Sequence, residues 1–470
     1  MKRDPNSQSY TDKYLRKLLS LSVDLIIFMR NFKVHEIAEV IYDEEIDDVA
    51  YNILFEFEVD RYENGKSIGR FVKVNDPIGK SKEKIELLSS HKLPIDEEGL
   101  KEAIFAHGEK VKFSSDYHLI ADSDIVFICV NTPEKNNWDV DTSYIDSSIE
   151  EAFKYMKAQS ILVIKSTVPV GFTKNISLLA GNLNISVVFM PEFLRQGNAY
   201  LDSINPSRIV IGVEDEKSKN TMEELFKNFT CPKLYTDFSS AELSKYASNN
   251  FLATKISFIN QIANFANEVN ANIDDVKKIM ELDPRIGQGS LNPGLGFGGG
   301  CFVKDTKALY YQSEKVNAPI SLIKEVINQN EKQKYLLLEE LSNLYFGLEN
   351  LKDNKILFVG YSFKGNSSDI RNSIALDNLK ILSRFTNNIT LYDPLVKDKI
   401  KGYEVIDDLK EGITNSDVIM IFTERFEIND IDRTCFQNKT VLDGRNILSK
   451  DIIPHLKYYF SVGRGKVKKF

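Results

Sequence analysis

The chain has 470 residues, 42% hydrophobic and 27% charged, which is too long for one ordinary core and typical of a folded multi-domain protein. Lys and Arg number 60 against 68 Asp and Glu; the formal charge of -8 excludes a global basic footprint for nucleic acid, so an anionic ligand needs a local basic pocket. Cys129, Cys231, Cys301 and Cys435 lack metal-type or redox-type spacing, the longest apolar runs (Val23 to Met29, Ile125 to Val130) fall far short of the roughly 20 residues of a membrane helix, and Met1 to Asp12 carries no secretory pattern. A soluble protein of the reducing cytoplasm is expected, with no metal and no membrane.

In chain order, residues 1–65 form an atypical segment of mixed helix-like and strand-like pattern with an acidic cluster at Asp43, Glu44, Glu45, Asp47 and Asp48. From residue 66 to 235 short β-branched runs alternate with amphipathic stretches, which predicts an α/β domain with a largely parallel sheet. The predicted strands are Phe71 to Asn75, Ile125 to Val130, Ile161 to Lys165 and Val187 to Met190, and the loop after each should line one crevice at the carboxyl ends. Ser239 to Val269 lacks Pro and Gly and spaces apolar residues by three to five, which predicts a long central helix in a helical middle domain, 236–345. A second α/β unit, 350–470, begins with the strand-like Ile356 to Val359, followed by Ile389 to Tyr392, Val418 to Phe422 and Thr440 to Leu442. The fold class is therefore α/β: two parallel-sheet domains joined by a long helix.

Chemistry concentrates in Leu282 to Leu309, LDPRIGQGSLNPGLGFGGGCFVKDTKAL. If a helix begins near Cys301, then Cys301, Lys304 and Asp305 share one face. The helix dipole and Lys304 would lower the thiol pKa, and Asp305 is placed for proton exchange. A lone cysteine is more often a small buried hydrophobe, and the Gly294-x-Gly296-x-x-Gly299 string follows no strand, so it reads as a close-packed substrate loop with no dinucleotide role.

The strings VIKSTVPVGFT, PEFLRQGNA, NPSRIVIG, ELSKYASNNFLA, DPRIG and GFGGGCFVKD, in this order, resemble the signatures of the UDP-glucose dehydrogenase family over roughly four-fifths of the chain. The resemblance implies two Rossmann-like domains and an NAD-dependent, four-electron oxidation of UDP-glucose to UDP-glucuronate through a thioester on Cys301. Lys245 and Asn249, i and i+4 on the central helix, would stabilise an oxyanion, and Glu192, Thr167 and Asp305 would handle protons and the hydrolytic water. For the UDP-sugar, the matching positions are Glu192, Phe193, Leu194, Lys245, Asn249, Asn292, Gly298, Lys364, Arg445 and Arg285, the last reaching a neighbouring subunit's site in a homodimer or higher oligomer. For NAD they are Asp76, Thr132, Thr167, Gln196, Lys304 and Arg371, with Gln196 standing where glutamate is common. GDP-mannose and UDP-N-acetylhexosamine dehydrogenases share the architecture.

One feature departs from that pattern. The G-x-G-x-x-G turn expected 20 to 25 residues before Asp76 is missing; Gly65 and Gly69 are the only glycines before Asp76 and leave no room for a helix. Two readings stand: an active dehydrogenase that cradles NAD differently, or a nucleotide-sugar-binding protein with impaired NAD binding.

Overall fold

The computed structural model describes residues 25–30, 33–43, 48–63, 66–73, 90–92, 99–105, 114, 116–195, 198–396 and 400–468. The chain divides into two units, 1–94 with 107–115, and 95–106 with 116–470.

The first unit contains a four-stranded antiparallel sheet, β1 (Leu25–Arg30), β2 (Lys33–Asp43), β3 (Asp48–Glu63) and β4 (Lys66–Lys73), in sequential order. Apolar and polar residues alternate in β3 (Phe55, Glu56, Phe57, Glu58, Val59), the period of a strand. Asn64-Gly65 separates β3 from β4, and two-residue hairpin loops favour this pair. The strand expected from Phe71 into the parallel sheet is thus corrected: Phe71 pairs with Phe57 in an antiparallel ladder. The hairpin signal outweighs the β-branched run.

The second unit carries two further sheets. β5 (Ile125–Ile128), β6 (Ile161–Ile164), β7 (Ser186–Phe189), β8 (Ile209–Gly212) and β9 (Lys233–Thr236) lie in that order, parallel except where β7 meets β8. In the other, β12 (Glu404–Ile406), β11 (Ile389–Tyr392), β10 (Ile356–Val359), β13 (Val418–Ile421), β14 (Thr440–Asp443), β15 (Tyr458–Ser461) and β16 (Lys466–Lys468) are parallel up to the antiparallel last strand. Helices cover both faces, so central strands such as ILVI of β6 and VIMI of β13 are buried throughout, as buried parallel strands must be.

Between the sheets runs the central helix, Phe238–Val269. Asp237 caps it by accepting the Ser240 N–H, and Asn270, with φ 55°, closes it in the left-handed conformation that asparagine tolerates. No described helix is long and apolar enough to cross a membrane, and no group of His, Cys, Asp or Glu among the described residues is arranged to hold a metal ion.

Candidate active site

A cavity of about 940 Å³ opens where the carboxyl end of β7, the central helix, the glycine-rich loop and the turn after β10 converge. Glu192, Phe193, Leu194, Lys245, Asn249, Gly298, Cys301 and Lys364, scattered over more than 170 positions, all line it.

Cys301 is the N-cap residue of the Phe302–Lys315 helix, its carbonyl accepting the Asp305 N–H at 2.8 Å, and it is exposed toward the cavity. One turn on, buried Asp305 accepts Asn249 Nδ2 at 2.6 Å on one oxygen and Lys304 Nζ at 2.7 Å on the other. Lys245 is almost fully buried; its ammonium donates to the Glu192 carbonyl at 2.6 Å and to Glu192 Oε1 at 2.9 Å, leaving the third of its three protons for a substrate oxygen. The other Glu192 oxygen takes the Leu194 N–H at 2.6 Å. Burial opposes ionisation of Glu192, yet Lys245, the Leu194 N–H and Lys165 together hold its carboxyl below the usual range. Glu192 is therefore a carboxylate at neutral pH and competent to accept a proton.

The thiol behaves differently from the expectation. Burial pushes the Cys301 pKa up, Asp305 and Glu192 push it further, and Lys245 and Lys304 only partly oppose them. The helix N-terminus and Lys304 do not dominate because the Lys304 ammonium is already paired with Asp305. Two carboxylates facing one sulfur disfavour a third negative charge. The rate of Cys301 alkylation by iodoacetamide should therefore still be rising above the ordinary thiol pKa. Asp305→Asn, which removes one of the two opposing charges, should shift that titration to lower pH; an unmoved or upward-shifted midpoint would contradict this balance.

The loop before Cys301 needs its glycines. Gly296 and Gly299 have φ of 96° and 76°, and a Cβ on Gly298 would lie 2.4 Å from the Asn372 carbonyl. Buried amides tie the loop down: Asn260 Oδ1 accepts the Gly294 N–H at 2.8 Å, Asn330 exchanges two hydrogen bonds with the Phe297 backbone at 2.8 and 2.9 Å, and Gln333 Nε2 donates to the Gly294 carbonyl at 2.7 Å. These three residues are silent in the sequence, since nothing local distinguishes a clamping amide from a solvated one. Lys165 and Arg208 also line the cavity, the Arg208 guanidinium stacking 3.9 Å from the centre of the Phe193 ring. Both stood within the quoted strings without a role.

The remaining predicted residues lie outside the cavity wall. Thr132 Oγ1 donates to the Thr167 carbonyl at 2.8 Å and so joins the loops after β5 and β6. Those loops are stitched to the cysteine helix by Glu134–Lys307 at 2.9 Å and by the Val170 N–H to Gln312 at 2.8 Å. Arg371 pairs with Asp369 at 2.6 Å and packs its guanidinium beside Gly300. Arg445 donates Nε to the Phe422 carbonyl at 2.7 Å and leans on Gly294. Exposed Arg285 pairs with Asp283 at 2.6 Å, and exposed Asn292 accepts from Lys277. Asp76 and Gln196 lie outside the described residues.

A dinucleotide fits this arrangement at one end. The β5 and β6 loops, joined through Thr132 and Thr167, are tied to the helix that begins at Cys301. The glycine turn sought for the pyrophosphate is not formed at Gly69, which sits within β4 opposite Val59 in an antiparallel ladder.

Comparison with known proteins agrees with this layout. The UDP-glucose/GDP-mannose dehydrogenase family models match in three consecutive parts: the NAD binding domain over residues 76–230, the central domain over 239–332 and the UDP binding domain over 357–450. The first match starts at Asp76, after the position where the glycine turn was sought. The chain is 38% identical over 394 residues to the UDP-glucose 6-dehydrogenase YwqF of Bacillus subtilis, covering 80% of this chain and 88% of that protein. It is 33% identical over 404 residues to the UDP-glucose 6-dehydrogenase of Rickettsia conorii, covering 83% and 92%. Among solved structures, a UDP-glucose dehydrogenase from Pyrobaculum islandicum superposes with a TM-score of 0.75 at 30% identity, over 81% of this chain and 90% of that one. The chain thus belongs to the UDP-glucose/GDP-mannose dehydrogenase family, whose members oxidise a nucleotide sugar with NAD.

Proposed function

We propose that this protein oxidises the C6 alcohol of UDP-glucose to the carboxylate of UDP-glucuronate, with Cys301 as the covalent nucleophile. The observation that carries this reading is the convergence of Cys301, the Lys245–Glu192 pair and Asn249, itself bonded to buried Asp305, on one cavity. Bound NAD supplies the hydride acceptor, used twice. In the first oxidation the alcohol gives its hydroxyl proton to the Glu192 carboxylate and, with loss of a hydride, becomes an aldehyde; Lys245 and Asn249 steady the oxygen as charge builds on it. The Cys301 sulfur then adds to the aldehyde carbon, and loss of a second hydride turns the thiohemiacetal into a thioester. Water, deprotonated by Glu192 or Asp305, displaces the sulfur and releases the carboxylate and the free thiol. Thr167 holds the loop beside this proton path. Phe193, Leu194 and Gly298 shape the pocket, Lys364 meets the diphosphate, Asn292 and Arg445 support the substrate side from outside the cavity wall, and Asp76, Gln196, Thr132, Lys304 and Arg371 serve NAD.

On this reading 66–235 is the NAD-binding domain, 236–345 the dimerisation domain with the nucleophile and 350–470 the UDP-sugar domain. The enzyme works in the cytoplasm, and its uronate product is a precursor of surface polysaccharide. Incubation with NAD and UDP-glucose should give two NADH per sugar. GDP-mannose and UDP-N-acetylhexosamine should be poorer substrates, and UDP-glucose ranking last would overturn the substrate choice. A second reading, binding of a nucleotide sugar without turnover, is favoured by the place of Gly69 in an antiparallel ladder. It requires calorimetric UDP-sugar binding together with undetectable NAD binding.

The central helix also supports a homodimer. Phe251, Phe258 and Phe265 recur every seven residues and are exposed, a stripe at the period of two helical turns that a second copy can cover. Arg285, exposed beyond the helix, would reach the partner's site. Phe258→Arg should shift the wild-type dimer toward monomer in sedimentation; a variant of unchanged mass would remove this interface.

A further inference from the structure

In the second parallel sheet β10 lies between β11 and β13, and ligands commonly lodge beyond the carboxyl ends of strands at such a switch in direction. Here the protein fills that place itself. Asp393, just after β11, and Arg425, beyond β13, are both almost completely buried, and Arg425 Nη2 donates to Asp393 Oδ1 at 2.5 Å. The other Asp393 oxygen accepts the N–H groups of Tyr361 and Ser362 at 2.8 and 2.9 Å. Arg425 also donates to Ser362 Oγ at 2.8 Å and to the Gly365 carbonyl. Ser362 Oγ in turn donates to the Lys364 carbonyl at 3.0 Å. The turn 361–365 is therefore bracketed by one ion pair, and its two intervening side chains, Phe363 and Lys364, both line the cavity. Phe363 also packs its ring against Gly299, where an added Cβ would lie only 2.7 Å away, two residues before Cys301.

We infer that Arg425 and Asp393 are positioning residues: their buried pair fixes the turn that aims Lys364 at the anionic part of the substrate and braces Phe363 against the loop that carries Cys301. The inference rests on the proposed use of this cavity for a UDP-sugar. Neither residue touches the cavity, so each acts through the turn. A planar guanidinium is what the geometry needs, since one fork serves a carboxylate, a hydroxyl and a carbonyl together.

The test is UDP affinity by calorimetry and the iodoacetamide rate at Cys301, with the thermal midpoint of each variant as the control for folding. Arg425→Met should weaken UDP binding by about tenfold or more, equivalent to ~1.4 kcal/mol, and change the alkylation rate. Arg425→Lys, which keeps the charge and loses the fork, should recover part of the affinity. Ser362→Ala, which removes only the hydroxyl links to Arg425 and Lys364, should weaken UDP binding by a smaller factor with little change in midpoint. A folded Arg425→Met with wild-type UDP affinity overturns the inference; if that variant does not fold, wild-type affinity in Ser362→Ala overturns it instead. Neither readout requires NAD or turnover, so failure of the dehydrogenase reading would show separately, as absent NADH formation by the wild type.

Discussion

Cys301→Ser is expected to lower UDP-glucuronate production by about three orders of magnitude or more, as removal of a covalent nucleophile does elsewhere, while leaving UDP affinity unchanged. A hydroxyl at this position is far less acidic than a thiol, and its adduct is a poorer intermediate for the second oxidation and for hydrolysis. The variant should therefore stall at the aldehyde level, visible as at most one NADH per sugar in a single-turnover experiment. Carboxylate formation at the wild-type rate would refute the nucleophile assignment. The raised thiol pKa adds a detail: the free enzyme holds Cys301 mostly as the neutral thiol at pH 7, so the wild-type rate of thiol capture should climb with pH.

Lys245→Met is expected to cost about 10²–10³ in kcat, the loss typical of removing one donor to a developing oxyanion. It should also strand the Glu192 carboxylate. Lys245 is the strongest of the influences that hold the Glu192 carboxyl below the usual range, with burial acting against them. Without the ammonium, burial prevails and the Glu192 pKa rises. The acidic limb of the kcat/KM profile should then move to higher pH in the variant. In the wild type the depressed pKa stabilises the fold above the unfolded carboxyl pKa, and that contribution disappears as pH falls through the lower folded value. Equal kcat in Lys245→Met, or an acidic limb in the same place, would show that the buried pair serves architecture alone.

The two predictions depend on contacts between residues far apart in the chain, and this marks how much of the site was legible beforehand. Cys301, Lys304 and Asp305 could be placed on one helix start because the helical repeat fixes which neighbours meet. Lys245 and Asn249 could be placed on one helix face by the same rule. What periodicity could not give was the choice of partner. Lys304 pairs with Asp305 and opposes the rise of the thiol pKa only in part, and Asn249 donates to Asp305. The clamping amides Asn260, Asn330 and Gln333 were invisible for a related reason: a polar residue becomes a clamp only when folding buries it opposite an unpaired backbone group.

Seven strands within 116–470, the long central helix and the family could be read from the chain alone, because apolar spacing and turn residues act over a few positions and the shared strings fall in one order; β8, β9, β12, β15 and β16 could not. The sequence did not determine that Phe71 would pair with Phe57 in an antiparallel hairpin, that Arg445 would lean on the glycine loop and not on the cavity, or that two carboxylates would raise the pKa of the reactive thiol. Each of these depends on which distant groups share a small, partly water-free volume, where electrostatic interactions strengthen as solvent is lost, and only the packed tertiary structure sets that arrangement.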